Sequence, residues 1–280
     1  MRIPELVARA FDEDLGPGDL TTESCVDPSI MGSARIYAKQ DLVVSGTVPA
    51  KLAFERMGVT WEALAQDGDS LSKGENLCRL TGPLAGILSA ERIALNFLMR
   101  CAGIATNTRS IVSVAEGKTR VVCTRKTTPL HRELEKDAVR HGGGHNHRHG
   151  LYDGVMIKDN HIIAAGGIAQ AVSRARARIH HLVRIEVEVE DLGELDQALE
   201  AGADVILLDN MDDATLKQAI AVTDAFAEGS GRRPLLEASG NMDAERIARI
   251  KDIGLDIISV GGLIHQARWV DFSLRIDEQG

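Results

Sequence analysis

VRIEVEVEDLGELDQALEAGADVILLDN, residues 183–210, decides the fold. Val183–Val189 alternates β-branched and charged residues, so it reads as a strand that carries Glu186, Glu188 and Glu190 on one face. Asp191 with Glu194 three residues later resembles a helix-capping pair; residues 192–201 follow at helical spacing, and Gly202 stops them. A second strand, Asp204–Leu208, begins at once. Strand, helix and strand in so few residues call for parallel pairing through a right-handed crossover.

The same unit recurs on either side. Strands are expected at Thr119–Thr124, Gly154–Ile157, Pro234–Glu237 and Asp256–Val260, with helices near 130–141, 168–180, 213–227 and 243–253. Six such units can close, or nearly close, into an α/β barrel, and a doubly wound open sheet is the competing arrangement. The first hundred residues differ. Ser33–Ser45 and Asn76–Leu88 read as strands, Pro49–Met57 and Ser89–Ala105 as helices, giving an α+β domain over 1–105. The barrel is expected over 106–267. Trp269–Ile276 again alternates apolar and polar, so the segment 268–280 is expected to return a strand to the first domain.

Composition excludes several function classes. A net charge of −9 argues against a general nucleic-acid binder. No apolar run approaches the roughly 18 residues that span a bilayer, and acids stand where a secretory signal would be apolar, so no membrane role and a cytoplasmic location are expected. Cys25, Cys78, Cys101 and Cys123 form no CxxC pair and read as reduced thiols. Within 121–150, however, six Lys and Arg face three acids, and five of the nine histidines gather there. A cationic island in an acidic chain suits a small polyanion.

Reactive residue types cluster just after the strands: Thr124-Arg125-Lys126, Lys158, Glu188, Asp209-Asn210, Ser239-Gly240-Asn241 and Gly261-Gly262. In a barrel all these ends open on one rim, where catalytic groups gather. The last two have the character of a phosphate cradle, with glycines admitting the ligand and a helix N-terminus expected to follow Asn241. The histidines of HGGGHNHRHG, residues 141–150, could supply zinc ligands, but Arg140 and Arg148 would repel a cation, and a Gly-rich loop beside two arginines suits carboxylate oxygens better.

Thr124–Pro129, Leu134–Lys136, Gly142–Gly144 with Asn146–Arg148, Ile157–His161, Glu186–Glu190, Leu208–Asn210 and Leu236–Asn241 together resemble the quinolinate phosphoribosyltransferase family. The early Glu13–Gly16, Gly18-Asp19, Thr21-Thr22, and Glu91-Arg92 with Ala94–Asn96 and Gly103–Thr106 fit it too, so the likeness spans almost the whole chain. It implies an α/β N-terminal domain followed by an open, TIM-like barrel. It also implies a decarboxylating transfer of phosphoribose from phosphoribosyl pyrophosphate to quinolinate, with Mg²⁺ as cofactor. Carried over, Arg125, Lys126, His147 and Arg148, with Thr124, would surround the two carboxylates. Lys126, Lys158, Glu188 and Asp209 would be catalytic, with Glu188 and Asp209 also serving the metal. Ser239, Gly240, Asn241, Gly261 and Gly262 would hold the 5-phosphate. The family implies a homodimer or larger homo-oligomer, with Arg92 contributed across the interface. Cys123 replaces an acid of the family pattern, and Leu130-His131 and Gly262–Gln266 also depart from it.

Three other readings bear on the same residues. One is a phosphoribosyltransferase for nicotinate or another acid. Another makes Lys158 a Schiff-base lysine. The third is a non-catalytic, molybdenum-associated relative.

Overall fold

The structure, a computed structural model, describes residues 2–278. The chain divides into two compact units, Met1–Arg109 with Thr127–Gly144 and Leu263–Gly280, and Ser110–Lys126 with His145–Gly262.

The first unit opens with α1 (Ile3–Asp14) and α2 (Leu20–Cys25). There follow β1 (Met31–Ala38), β2 (Leu42–Val43), α3 (Thr47–Arg56), β3 (Thr60–Ala63), β4 (Ser70–Leu71), β5 (Asn76–Pro83) and α4 (Leu84–Ala115) as far as Arg109. Its main sheet has the order β12-β1-β5-β3, where β12 is Phe272–Ile276. The C-terminal strand thus returns antiparallel to β1, Ala34 opposite Ile276 and Ala38 opposite Phe272. Gln279 and Gly280, the end of the expected 268–280 segment, lie outside the described residues. The core is aliphatic with few rings: Ile36, Phe54, Leu77, Leu80, Ile87, Leu98 and Phe272 are buried together.

Two expectations change here. The strand expected over Asn76–Leu88 ends at Pro83, because Ile87, Ala90, Ala94 and Leu98 are buried at helical spacing and belong to α4. Residues 127–144 and 263–267, expected in the barrel domain, cluster with the first unit. The reason is a buried acid on α5 (Arg132–His141). Glu135 accepts from Arg100 Nε at 3.0 Å and Nη2 at 2.7 Å, and from the Thr128 N–H and hydroxyl, each at 2.8 Å. Arg100 also donates to the carbonyls of Ile264 and Ala267, each at 3.2 Å. A charge so buried requires these partners, and they tie the three segments together.

The second unit contains β6 (Arg120–Val122), β7 (Val155–Ile157), α6 (Asp159–Ala165), α7 (Ile168–Arg176), β8 (Ile185–Val189) and α8 (Leu192–Ala201). It continues through β9 (Val205–Asp209), α9 (Asp213–Ser230), β10 (Leu235–Ser239), α10 (Ala244–Ile250), β11 (Ile257–Ser259) and the start of α11 (Gly262–His265). The six strands are parallel in the order β6-β11-β10-β9-β8-β7. The two edges, β6 and β7, are consecutive in sequence, as in a barrel opened between its first two strands. Asp191, Asp212 and Asp243 cap α8, α9 and α10 through the N–H of the third residue on, at 2.8, 2.7 and 2.8 Å. The face toward the helices is wholly aliphatic: Ile185, Val187, Val189, Ile206, Leu208, Leu236, Ala238 and Ile258 are 0% exposed.

Candidate active site

Strand register decides what faces the other way. Glu186 pairs with Met156 and Val205, Leu207 with Glu188 and Glu237, and Asp209 with Ser239. Paired residues on adjacent strands share a face. Glu186, Glu188, Asp209, Glu237 and Ser239 therefore line one surface, and Lys158, in extended conformation just past β7, joins them through an ion pair to Glu188. The acids of β8 and the one just past it grade outward: Glu186 is buried, Glu188 half-buried and Glu190 exposed.

Toward the strand ends, Asp209 accepts from the Asn210 side-chain amide at 2.7 Å, and the Asn210 N–H donates to the Ser239 carbonyl at 3.1 Å. Asn210, Gly240 and Asn241 all have positive φ, of 53°, 92° and 48°. A Cβ on Gly240 would lie 2.1 Å from the Asn210 carboxamide oxygen, so only glycine fits between these loops. Arg246 fastens them: it donates to the carbonyl of Gly240 at 2.7 Å, to the carbonyl of Met211, and to Asp213 at 3.2 Å. α10 starts three residues beyond Asn241, and Asp243 caps it by taking the Arg246 N–H. Any phosphate contact from Ser239, Gly240 and Asn241 falls to the loop itself. Gly261 and Gly262 stand half-buried after β11.

A second group lies deeper. Arg148 donates to the Gly154 carbonyl at 3.0 Å. Burial first, then the neighbouring Arg125 guanidinium, hold its pKa below the usual arginine value, while Glu186 and Asp153 oppose this. Arg125 Nε is buried with no acceptor among the described residues. Two like charges brought together, one with an orphaned donor, make a site for an anion with two acceptor groups. His147 presents Nε2 to Glu186 at 3.1 Å and to Glu237 at 3.7 Å, and its Nδ1 accepts the Arg148 N–H at 2.8 Å. Both ring nitrogens are turned into the protein. Thr124 and Lys126 stand beside Arg125, with the Lys126 N–H on the Thr124 hydroxyl at 3.1 Å. Arg92 is exposed on α4 and belongs to the other unit.

Sequence reasoning missed Glu237 and Arg246. Glu237 stands two residues before Ser239 on the same strand, so the alternation that found Glu186 and Glu188 also carried its signal. The glycine-rich run is also reinterpreted. A Cβ on Gly142 would fall 2.5 Å from the Ala105 carbonyl oxygen, and one on Gly144 2.8 Å from Thr108 Cγ2, so these glycines allow close packing on α4. His141 meets the Ser45 hydroxyl at 2.9 Å.

A rim of acids and glycine loops with paired arginines on an opened α/β barrel is the arrangement expected of a barrel phosphoribosyltransferase. Family models narrow it: that for the quinolinate phosphoribosyl transferase C-terminal domain matches residues 104–275, and that for the N-terminal domain matches residues 19–102. The chain is 41% identical over 279 residues to a probable nicotinate-nucleotide pyrophosphorylase (carboxylating) of Bacillus subtilis, covering 99% of this chain and 94% of that one. It is 34% identical over 295 residues to quinolinate phosphoribosyltransferase (decarboxylating) 1b of Nicotiana tabacum, with 98% and 82% covered. The solved nicotinate-nucleotide pyrophosphorylase of Francisella tularensis superposes with a TM-score of 0.92 at 34% identity, over 98% of this chain and 96% of that one. The chain belongs to the quinolinate phosphoribosyltransferase family and is a pentosyltransferase, as its motifs led one to expect.

Proposed function

We infer that this chain transfers the phosphoribosyl group of phosphoribosyl pyrophosphate to quinolinate with loss of CO₂, giving nicotinate mononucleotide and pyrophosphate for NAD synthesis. The observation that carries the reading to the site is the Arg125–Arg148 pair with the orphaned Arg125 Nε. Quinolinate bears two adjacent carboxylates, and a guanidinium fork suits each. A nicotinate-specific enzyme would need only one.

Lys126, Lys158, Glu188 and Asp209 surround phosphoribosyl pyrophosphate, and Ser239, Gly240, Asn241, Gly261 and Gly262 take its 5-phosphate. The pyridine nitrogen attacks ribose C1 while the C1–oxygen bond to pyrophosphate breaks. The nitrogen carries no proton, so no general base is required. Glu188 and Asp209 stabilise the positive charge that builds on the sugar, and Lys158 meets the negative charge of the phosphates. Once bonded, the cationic nitrogen stabilises the electron pair left on the adjacent ring carbon when its carboxylate departs as CO₂, and a proton from water then takes the carboxylate's place on that carbon. Two carboxylates at one rim are hard oxygen donors of the kind Mg²⁺ takes, directly or through water and substrate. Mg²⁺ held there would neutralise charge on the leaving pyrophosphate.

The working assembly is at least a homodimer in which Arg92 serves the partner's site; its exposure on α4 supports this. No helix among the described residues is long and apolar enough to cross a membrane. Cys25, Cys78, Cys101 and Cys123 stand as thiols and not in disulfides, which supports a cytoplasmic place of action. Mass spectrometry after incubation with phosphoribosyl pyrophosphate, Mg²⁺ and either quinolinate or nicotinate tests the reading. Nicotinate mononucleotide with one CO₂ released per turnover is expected from quinolinate. Equal or faster product formation from nicotinate would overturn it.

A further inference from the structure

The buried acids beneath the arginines are not explained by the reaction as derived so far. Glu186 is 7% and Glu237 2% exposed, and each has a carboxylate oxygen, Oε1, that is buried without a hydrogen-bond partner among the described residues. With His147 they form a cluster whose reactive atoms all lie within 4.8 Å of one another. We propose that Glu186 and Glu237 are positioning residues for the dicarboxylate subsite, holding the His147 ring so that His147 fixes the backbone of Arg148. The inference rests on the reading that Arg125 and Arg148 take the two carboxylates.

The ring's hydrogen bonds set its tautomer. Because Nδ1 accepts the Arg148 N–H, the proton of the neutral ring sits on Nε2, which faces Glu186 and Glu237. Neither nitrogen is then available to a substrate carboxylate. His147 acts on the ligand through Arg148, not by touching it. Beneath the ring the two carboxylates lie close together and out of water. Burial first, and the Glu186 charge second, push the Glu237 pKa up to about 8. Glu186 in turn lies near the Arg148 guanidinium. The chain of contacts runs from Glu237 through Glu186 and His147 to Arg148.

The same three side chains have the ligand types of a divalent-metal site. Two features disfavour that use. The Nε2 atom that would bind a cation carries a proton toward Glu186, and the cationic Arg148 stands beside the same acid. A merely space-filling role is disfavoured as well, since buried ionisable groups usually gain nothing over apolar side chains of equal volume.

The test compares Glu237→Gln, Glu237→Leu and Glu186→Leu in the intact enzyme, with Arg148→Ala as the control for the underlying reading. The two leucine variants should raise KM for quinolinate about tenfold, with KM for phosphoribosyl pyrophosphate held within about twofold. Glu237→Gln, which keeps a neutral donor, should stay within about threefold of the wild type for both substrates. An unchanged KM for quinolinate in the leucine variants overturns the inference. So does an equal loss for both substrates, or a stoichiometric metal that Glu237→Leu releases. If Arg148→Ala itself leaves KM for quinolinate unaltered, the subsite reading fails first and takes the inference with it. A readout that needs no leucine variant to fold is nitrogen NMR of histidine-labelled wild-type enzyme, with His147 assigned by its loss in His147→Asn. Nδ1 should remain an unprotonated acceptor before and after quinolinate is added. Protonation of the ring by the ligand would overturn the proposal.

Discussion

The two faces of the six-stranded sheet share the same residues in alternation and have opposite chemistry. Toward the helices, Ile185, Val187, Val189, Ile206 and Leu208 are completely buried and aliphatic. Toward the other side, the residues between and beside them include Glu186, Glu188 and Asp209 along with the aliphatic Val205 and Leu207, joined by Glu237, Ser239 and Lys158. Burial of aliphatic surface stabilises the fold, at about 25 cal/mol for each Å² removed from water. Confining acids near one another works against it. The comparison teaches that stability and chemistry are separated here by strand parity, one residue apart, instead of by region.

The largest expected effect breaks the inward face alone. Glu188→Ala or Asp209→Ala should lower kcat by a factor of about 100 to 1,000, the range seen when a charge-stabilising group is removed. The melting temperature should move by only a few degrees. Near-normal turnover in steady-state assays would contradict the roles given to these acids. The mirror experiment is Ile206→Ala, which leaves a cavity behind the sheet and should cost about 2–5 kcal/mol of stability in denaturant titrations. Its kcat at a temperature where it remains folded should be close to that of the wild type; a large fall in kcat would show that the faces are not independent. A smaller change is expected of Arg125→Lys, which keeps the charge but loses the fork. KM for quinolinate should rise about tenfold with kcat little altered, and an unchanged KM would remove Arg125 from the subsite.

The smallest effect concerns pH. The Glu237 pKa is raised from 4.5 to about 8, chiefly by burial. The folded state keeps a proton that the unfolded chain releases, so this group's contribution to stability is complete below the unfolded value and drains away as pH climbs toward 8. Between about pH 5 and pH 8, the melting temperature of Glu237→Gln should therefore fall less steeply than that of the wild type. Parallel curves from scanning calorimetry would mean that Glu237 ionises in the folded enzyme as readily as in the unfolded chain.

Much of this was legible in the sequence because parity and caps are local. The six strands were located to within a few residues, and the face shared by Glu186 and Glu188 follows from alternation alone. Asp191 does cap α8, although the Glu194 carboxylate reaches back to the Glu190 N–H at 2.9 Å and not to that of Asp191. What escaped depends on groups distant in sequence. Nothing near Glu135 announces that Arg100 will neutralise it, so the membership of α5 in the first unit was not readable. Gly142 and Gly144 looked like a ligand loop because the helix they press against lies more than thirty residues earlier. The inward turn of His147 likewise depends on Glu186 and Glu237, on strands well beyond it.

The most direct test of the central claim, that the inward face is where the pyridine dicarboxylate binds, is a crystal structure with quinolinate. The account predicts density for its two carboxylates against the guanidinium groups of Arg125 and Arg148, with the ring nitrogen directed toward Glu188 and Asp209. Quinolinate bound elsewhere, with Arg125 Nε still without a partner, would contradict it.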